Sequence, residues 1–232
     1  MPPERHEFAT RNALAGALAG DIAGALKSDI ASRGSASLAV SGGSTPALFF
    51  AALSRAGIDW SRVVVTLVDD RLVDESSPRS NAGLVKSRLL AGPAAEARFV
   101  PLCSRGEGPE ACAAGAESRV AQMPHPFAAV VLGMGTDGHT ASWFPDGDHV
   151  GEAIDPQCAR AVIAMRAASV TEPRVTLTLP VVLDTGFIAL HIEGEEKRAV
   201  LDAALSPGPT LEMPVRAVLG QEQVPVAIYW AP

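Results

Sequence analysis

The chain has 232 residues, a formal net charge of −7, and 47% apolar and 19% charged residues, an ordinary globular balance with ample length for a buried core. An acidic chain with 5% aromatics matches nucleic acid poorly, since that partner asks for a basic face and stacking rings. No apolar run reaches the roughly 18 residues of a membrane-spanning helix. Cys103, Cys112 and Cys158 are odd in number and lack C-x-x-C spacing, so neither a disulfide framework nor a zinc cluster is expected. The N-terminal MPPERHEFATRN has no apolar stretch behind its charges, which makes the cytoplasm the default location.

From His6 to Ser32, Leu14, Leu18, Ile22, Leu26 and Ile30 recur every four residues and predict one helix. SLAVSGG reads as a short buried strand entering a glycine turn. STPALFFAALSRAG follows as a helix, with Ser44 or Thr45 as its cap, Pro46 in its first turn and Gly57 at its end. RVVVTLVDD is a near-continuous β-branched run, read as one parallel strand covered on both faces. SNAGLVKSRLL is a helix, RFVPL a strand, PEACAAGAESRVAQM a helix and FAAVVLGMG a buried strand. RAVIAM, RVTLTLPVVL, FIALHIEG and VPVAIYWA are further strands, with the helix GEEKRAVLDAAL before the last. This alternation predicts a single α/β domain over residues 1–232, doubly wound and Rossmann-like, with a mostly parallel sheet and helices on both faces.

In such sheets ligands bind beyond the carboxyl ends of the strands, which singles out three loops. SGGSTP places Gly42, Gly43, Ser44 and Thr45 at a helix start, where free N–H groups and hydroxyls fit a phosphate; a capped turn without ligand fits equally. It is no Walker loop, because no G-K-[ST] follows. VDDRLVDESSPRSN sets Asp69, Asp70 and Arg71 at a strand end. The carboxylates suit acid–base work and the guanidinium suits a phosphate or an oxyanion; a solvated charged turn is the plainer alternative.

The third loop, VVLGMGTDGHTASWFPD, contains G-x-G-x-x-G. Several strands precede it and Pro145 cuts short any helix after it, so a dinucleotide turn is disfavoured. His139 at a strand's carboxyl end suits a general base at neutral pH, with Asp137 close enough to orient it. Lys197 falls in the first turn of a helix and Arg174 just before a strand; each is a candidate anion ligand or a solvated cation. No G-x-S-x-G elbow or metal-spaced His/Cys pair exists.

Taken together, SGGSTP, DDRLV with SN ten residues on from Arg71, LGMGTDGHTASWFP, PRVTLTLP and GEEKRAVL, in that order, resemble the 6-phosphogluconolactonase family, from about His6 to Ala231. The wider superfamily holds glucosamine-6-phosphate deaminases and ribose-5-phosphate isomerases. The chain departs from the family pattern at Asp70, where Glu is usual, and at Trp143, Arg198 and Ala82. The resemblance implies hydrolysis of 6-phospho-D-glucono-1,5-lactone, a sugar-phosphate lactone, to 6-phosphogluconate in the oxidative pentose phosphate pathway, without cofactor or metal. It implies His139 as base with Asp137 as its orienter and Asp69 next to be considered. Gly42, Gly43, Ser44, Thr45, Arg71 and Lys197 would hold phosphate, with Arg174 a weaker candidate. Two alternatives are an amino-sugar-phosphate deaminase or isomerase and a non-catalytic sugar-phosphate sensor. The deaminases resemble G-H-I-A-F-N-E-P at the third loop, and their glutamate is absent here.

Overall fold

Six of the predicted strand segments and one strand not predicted assemble side by side in the computed structural model, which describes residues 2–103 and 106–232. In chain order the elements are β1 (Glu4–Glu7), α1 (Arg11–Arg33), β2 (Ala36–Val40), α2 (Ala47–Leu53), β3 (Val63–Leu67), β4 (Asp69–Arg71), α3 (Asn81–Arg88), β5 (Arg98–Val100) and α4 (Pro109–Ala121). There follow β6 (Ala129–Leu132), α5 (Val150–Ala153), β7 (Val162–Met165), β8 (Arg174–Leu177), α6 (Leu179–Leu183), β9 (Ile188–Glu193), α7 (Glu195–Leu205), α8 (Arg216–Leu219) and β10 (Val226–Ala231). The main sheet runs β1-β10-β9-β6-β2-β3-β5 and is parallel throughout.

Residues of β2, β3 and β6 are buried on both faces, which is why these strands read as near-continuous apolar runs, interrupted by the buried Ser37 and Thr66, rather than alternating ones. Leu14, Leu18, Ile22 and Leu26 of α1 are fully buried, as are Phe49, Phe50 and Leu53 of α2. Each such side chain contributes about 1.5–3 kcal/mol by leaving water. The helix α1 begins later than its periodicity suggests. Thr10 caps it by accepting from the Ala13 N–H, Gly34 ends it at φ 82°, and residues 4–7 form β1 instead. That polar stretch is a strand because β10 offers it a free edge, Glu4 to Glu7 pairing with Ala227 to Trp230.

Two other segments depart from the sequence reading. RVVVTLVDD is not one strand. Val68 donates to the Val40 carbonyl in the main sheet and accepts from the Leu177 N–H, so the chain passes there from one sheet into another. The second sheet is antiparallel, β4-β8-β7. RVTLTLPVVL is also divided, into β8 and the helix α6. Pro180 cannot donate to a ladder but is well placed in a helix's first turn.

The order of the main sheet positions the site. From β2 the chain moves outward through β3 to β5, then returns to lay β6 against the other side of β2. The loops leaving β2 and β6 therefore diverge at a topological switch point, where such sheets open a crevice. Ser41 stitches the two loops together, its N–H donating to Val131 O and its Oγ accepting from the Gly133 N–H. Among the described residues no helix is long and apolar enough to cross a membrane.

Candidate active site

A cavity of about 300 Å³ opens at this switch point, at the small end of the range for ligand pockets. Gly42, Gly43, Ser44, Thr45, Asp69, Arg71, His139, Arg174 and Lys197 all line it. Asp137 does not; it stands behind the His139 ring.

The loop after β2 is an unsatisfied donor array. Among the described residues no acceptor takes the N–H groups of Gly42, Gly43, Ser44 or Thr45, and the Ser44 and Thr45 hydroxyls are likewise unpartnered. Neither hydroxyl caps α2, whose N-cap is Pro46 with no side-chain bond; the expected cap gives way to a turn that leaves both side chains on the cavity. Gly43 sits at φ +89°, a conformation that turns successive N–H groups to one side and that side chains resist.

The loop after β6 builds the histidine. Asp137 Oδ1 accepts from the His139 backbone N–H at 3.1 Å and faces His139 Nδ1 at 2.5 Å. With the proton on Nδ1, the lone pair lies on Nε2, which has no partner among the described residues. Burial pushes the Asp137 carboxyl up, but the hydrogen bond and charge of His139 outweigh it and hold it below the usual carboxylate range. Gly135 is required by contact: a Cβ there would lie 2.2 Å from the imidazole.

Beyond His139 the chain turns through Ala141 at φ 49°, in the left-handed region that non-glycine residues avoid. The turn sends Ser142 inward, where its hydroxyl donates to Asp69 Oδ2 at 2.5 Å. Phe144 then packs its ring against His139, with centroids 4.7 Å apart, and beneath the Arg174 guanidinium, 5.6 Å from the ring centre. Trp143, one of the departures from the family pattern, is fully buried and donates to Leu177 O.

Arg71 and Arg174 are direct cross-strand partners on β4 and β8. Like charges so placed are unfavourable. The Nε of each is buried without a hydrogen-bond partner. Arg174, the weaker candidate from sequence, thus stands level with Arg71. Burial, only partly opposed by the Asp69 carboxylate and reinforced by Arg71, lowers the Arg174 pKa. Lys197, half-buried in the first turn of α7, is also lowered by burial against the opposing pull of Glu193 and Glu196. Two guanidiniums with unpartnered Nε groups, of which Arg71 also donates from Nη1 to the Arg79 carbonyl, and a desolvated ammonium beside free N–H groups form a receptacle for an anion.

Asp70 serves elsewhere. Its Oδ1 accepts from the backbone N–H of Arg71 at 2.8 Å and of Asn81 at 3.0 Å, so it ties the start of α3 to β4. Burial pushes its pKa up to about 6 despite those bonds, with Asp69 adding to the rise. The shorter aspartate is therefore a backbone clamp outside the cavity lining. Arg198, another departure, stacks on Trp230 at 4.4 Å, away from the cavity. Asn81, Phe144 and His191 also line the cavity and went unassigned from sequence. For His191 a signal existed, since a histidine inside an otherwise apolar parallel strand calls for a reason.

A parallel sheet whose carboxyl edge holds an aspartate-paired histidine and free N–H groups, with three cations from that edge and the adjoining antiparallel sheet around the same cavity, defines an α/β enzyme for a small anionic substrate. Comparison with known proteins narrows that class. Residues 9–230 match the family of glucosamine-6-phosphate isomerases/6-phosphogluconolactonase. The chain is 54% identical to the 6-phosphogluconolactonase of Mesorhizobium japonicum over 97% of this chain and 94% of that one. It is 52% identical to that of Rhizobium meliloti over the full length of both. The crystal structure of a 6-phosphogluconolactonase from Shewanella baltica superposes with a TM-score of 0.96 at 40% identity, covering 99% of this chain and 98% of that one. The chain belongs to the glucosamine-6-phosphate isomerase/6-phosphogluconolactonase family.

Proposed function

We infer that the protein hydrolyses 6-phospho-D-glucono-1,5-lactone to 6-phosphogluconate, with His139 as general base and no covalent intermediate. The observation that carries the mechanism is the His139–Asp137 pair, which leaves Nε2 unpartnered at the cavity wall. The relatives that are 6-phosphogluconolactonases at 52–54% identity support the substrate.

The N–H groups and hydroxyls from Gly42 to Thr45, with Arg71, Arg174 and Lys197, take the phosphate and fix the lactone. His139 Nε2 removes a proton from water as the water oxygen attacks the lactone carbonyl carbon. Asp137 holds the imidazolium that forms. The oxyanion of the tetrahedral intermediate is stabilised by the cations around it. Collapse breaks the bond from that carbon to the ring oxygen. The imidazolium returns its proton to the departing oxygen, and the product acid ionises to water. Asp69 accepts from Ser142 and its charge favours the Arg174 cation, so it supports that guanidinium electrostatically rather than taking the proton. Positioning and one base suffice for so reactive an ester, and the cytoplasm is the compartment this reading assigns.

The test is a coupled assay with freshly generated lactone, corrected for spontaneous hydrolysis. Acceleration is expected, with no ammonia released from glucosamine 6-phosphate. Ammonia release at a comparable rate would overturn the assignment.

A further inference from the structure

His191 is a buried titratable group that this mechanism does not use. It is 3% exposed, yet its ring lines the cavity. It lies near the carboxyl end of β9, one residue beyond Leu190, which pairs with Leu132 at the end of β6. On one side its Nε2 faces Glu193 Oε1 at 3.1 Å. A carboxylate accepts, so Nε2 carries the proton, and among the described residues nothing partners Nδ1.

The groups around the ring are few. Glu193 lies on its own strand, its side chain 10% exposed and tied by its other oxygen to Arg11 at the start of α1. Phe49 of α2 meets the ring edge-on at 6.2 Å. Lys197 in the first turn of α7 feels the Glu193 charge. Tyr229, the register partner on β10, gives its hydroxyl to Asp21 of α1. His139 is the other imidazole on the cavity. His191 thus lines the cavity together with the unpaired loop residues and Lys197, and its Nε2 faces a nearly buried carboxylate. A dianion entering there would meet Glu193 unless a positive group stood between them.

We propose that His191 is a further substrate-binding residue, donating from Nδ1 to the phosphate as an imidazolium whose other proton is held by Glu193. Phosphate binding then draws a proton onto the ring. The proposal rests on the sugar-phosphate reading of the cavity, and its test is separable from that reading.

The probe is inorganic sulfate, a dianion throughout the range in which histidine titrates, so the ligand's own ionisation drops out. Its affinity is read by direct calorimetric titration at a series of pH values, and competition with 6-phosphogluconate at one pH shows that both occupy the cavity. The wild-type protein should hold sulfate about ten-fold more tightly with the imidazole protonated than with it neutral, the worth of one charge-assisted contact. His191→Gln should lose both the slope and the ten-fold, and raise KM for lactone more than it lowers kcat. Glu193→Gln keeps the ring and should move the slope to lower pH, which covers the case in which the glutamine variant fails to fold. His139→Ala should retain the slope. A flat wild-type profile, a slope that survives in His191→Gln, or no competition by sulfate overturns the proposal while lactone hydrolysis stands. Loss of the hydrolysis itself in the wild-type assay would instead strike the functional reading.

Discussion

The two sheets that meet at Val68 share a chain but follow opposite rules. In the parallel sheet the central strands β2, β3 and β6 are apolar on both faces, and polar chemistry is exiled to the loops beyond their ends. In the small antiparallel sheet the chemistry sits within the strands, with Asp69 and Arg71 on β4 and Arg174 on β8. The first arrangement gains stability from burial and lends rigidity to whatever it carries. The second sets two guanidiniums opposite each other with buried, unpartnered Nε groups, an unfavourable placement for the empty protein that an anionic ligand offsets. Stability and function are thus divided between the sheets, and substitutions on each should have different signatures.

The largest expected effect lies on the loop of the parallel sheet. His139→Ala should lower kcat by about 10²–10⁴-fold, the usual share of general-base catalysis, while 6-phosphogluconate binding measured by calorimetry stays nearly constant. Near-normal kcat in this variant would shift attention to Asp69 as the base.

The next tests the junction between the sheets. Burial raises the Asp70 pKa in the fold to about 6, from the ordinary carboxylate value of 3.8. The folded state therefore binds this proton more tightly than the unfolded chain. The associated stability is fully present below the unfolded value and is lost as pH rises through about 6. The cost at neutral pH is about 3 kcal/mol. Asp70→Asn keeps an acceptor for the Arg71 and Asn81 N–H groups without the charge. In denaturant titrations the wild-type protein should lose stability relative to Asp70→Asn as pH rises from the unfolded value toward neutrality. A constant difference across that window would refute the assigned shift.

Arg174 and Lys197 sharpen the contrast directly. Each supplies a charge-assisted contact of about 1.5–3 kcal/mol, so Arg174→Met and Lys197→Ala should each weaken substrate and product together by very roughly ten- to a hundred-fold. Arg174→Met should do so without lowering the melting temperature of the ligand-free protein, because it removes a desolvated cation facing Arg71. If that variant is clearly destabilised, the second sheet is held together by its charges and the division of labour fails.

The smallest effect concerns the left-handed Ala141. Glycine relieves that conformation, so Ala141→Gly should leave stability unchanged or raise it by up to about 1 kcal/mol in thermal unfolding, the strain offset in part by the freedom glycine adds to the unfolded chain.

Much of this architecture was legible in the chain because it follows from local rules. The four-residue period of Leu14 to Leu26 and the near-continuous apolar runs of β2, β3 and β6 are set by which faces must leave water, and they read correctly. The carboxyl-end rule then brought Gly42 to Thr45, Asp69, Arg71 and His139 together as candidates, and all of them line one cavity. Residues 6 and 7 fall in the segment read as helix, yet they belong to a strand that exists only through pairing with β10, more than 200 residues away in sequence. The break at Val68 is not visible in the sequence because the apolar run continues up to it and the acidic residues that follow read as the end of the same strand; the change of sheet is decided by pairing with Val40 and Leu177.

By itself the sequence determined the periodicities, the order of strands and helices, and the donors, acids and bases available at the strand ends, because these depend on residue type and spacing alone. Only the tertiary structure decided that Arg174 faces Arg71 with its Nε unpaired, that Asp70 clamps backbone while Asp69 reaches the cavity, and that His191 opens onto it. The physical reason is that desolvation, like-charge opposition and hydrogen-bond satisfaction are properties of what surrounds a group. In a sheet wound outward in both directions from β2, the surroundings come from distant segments of the chain.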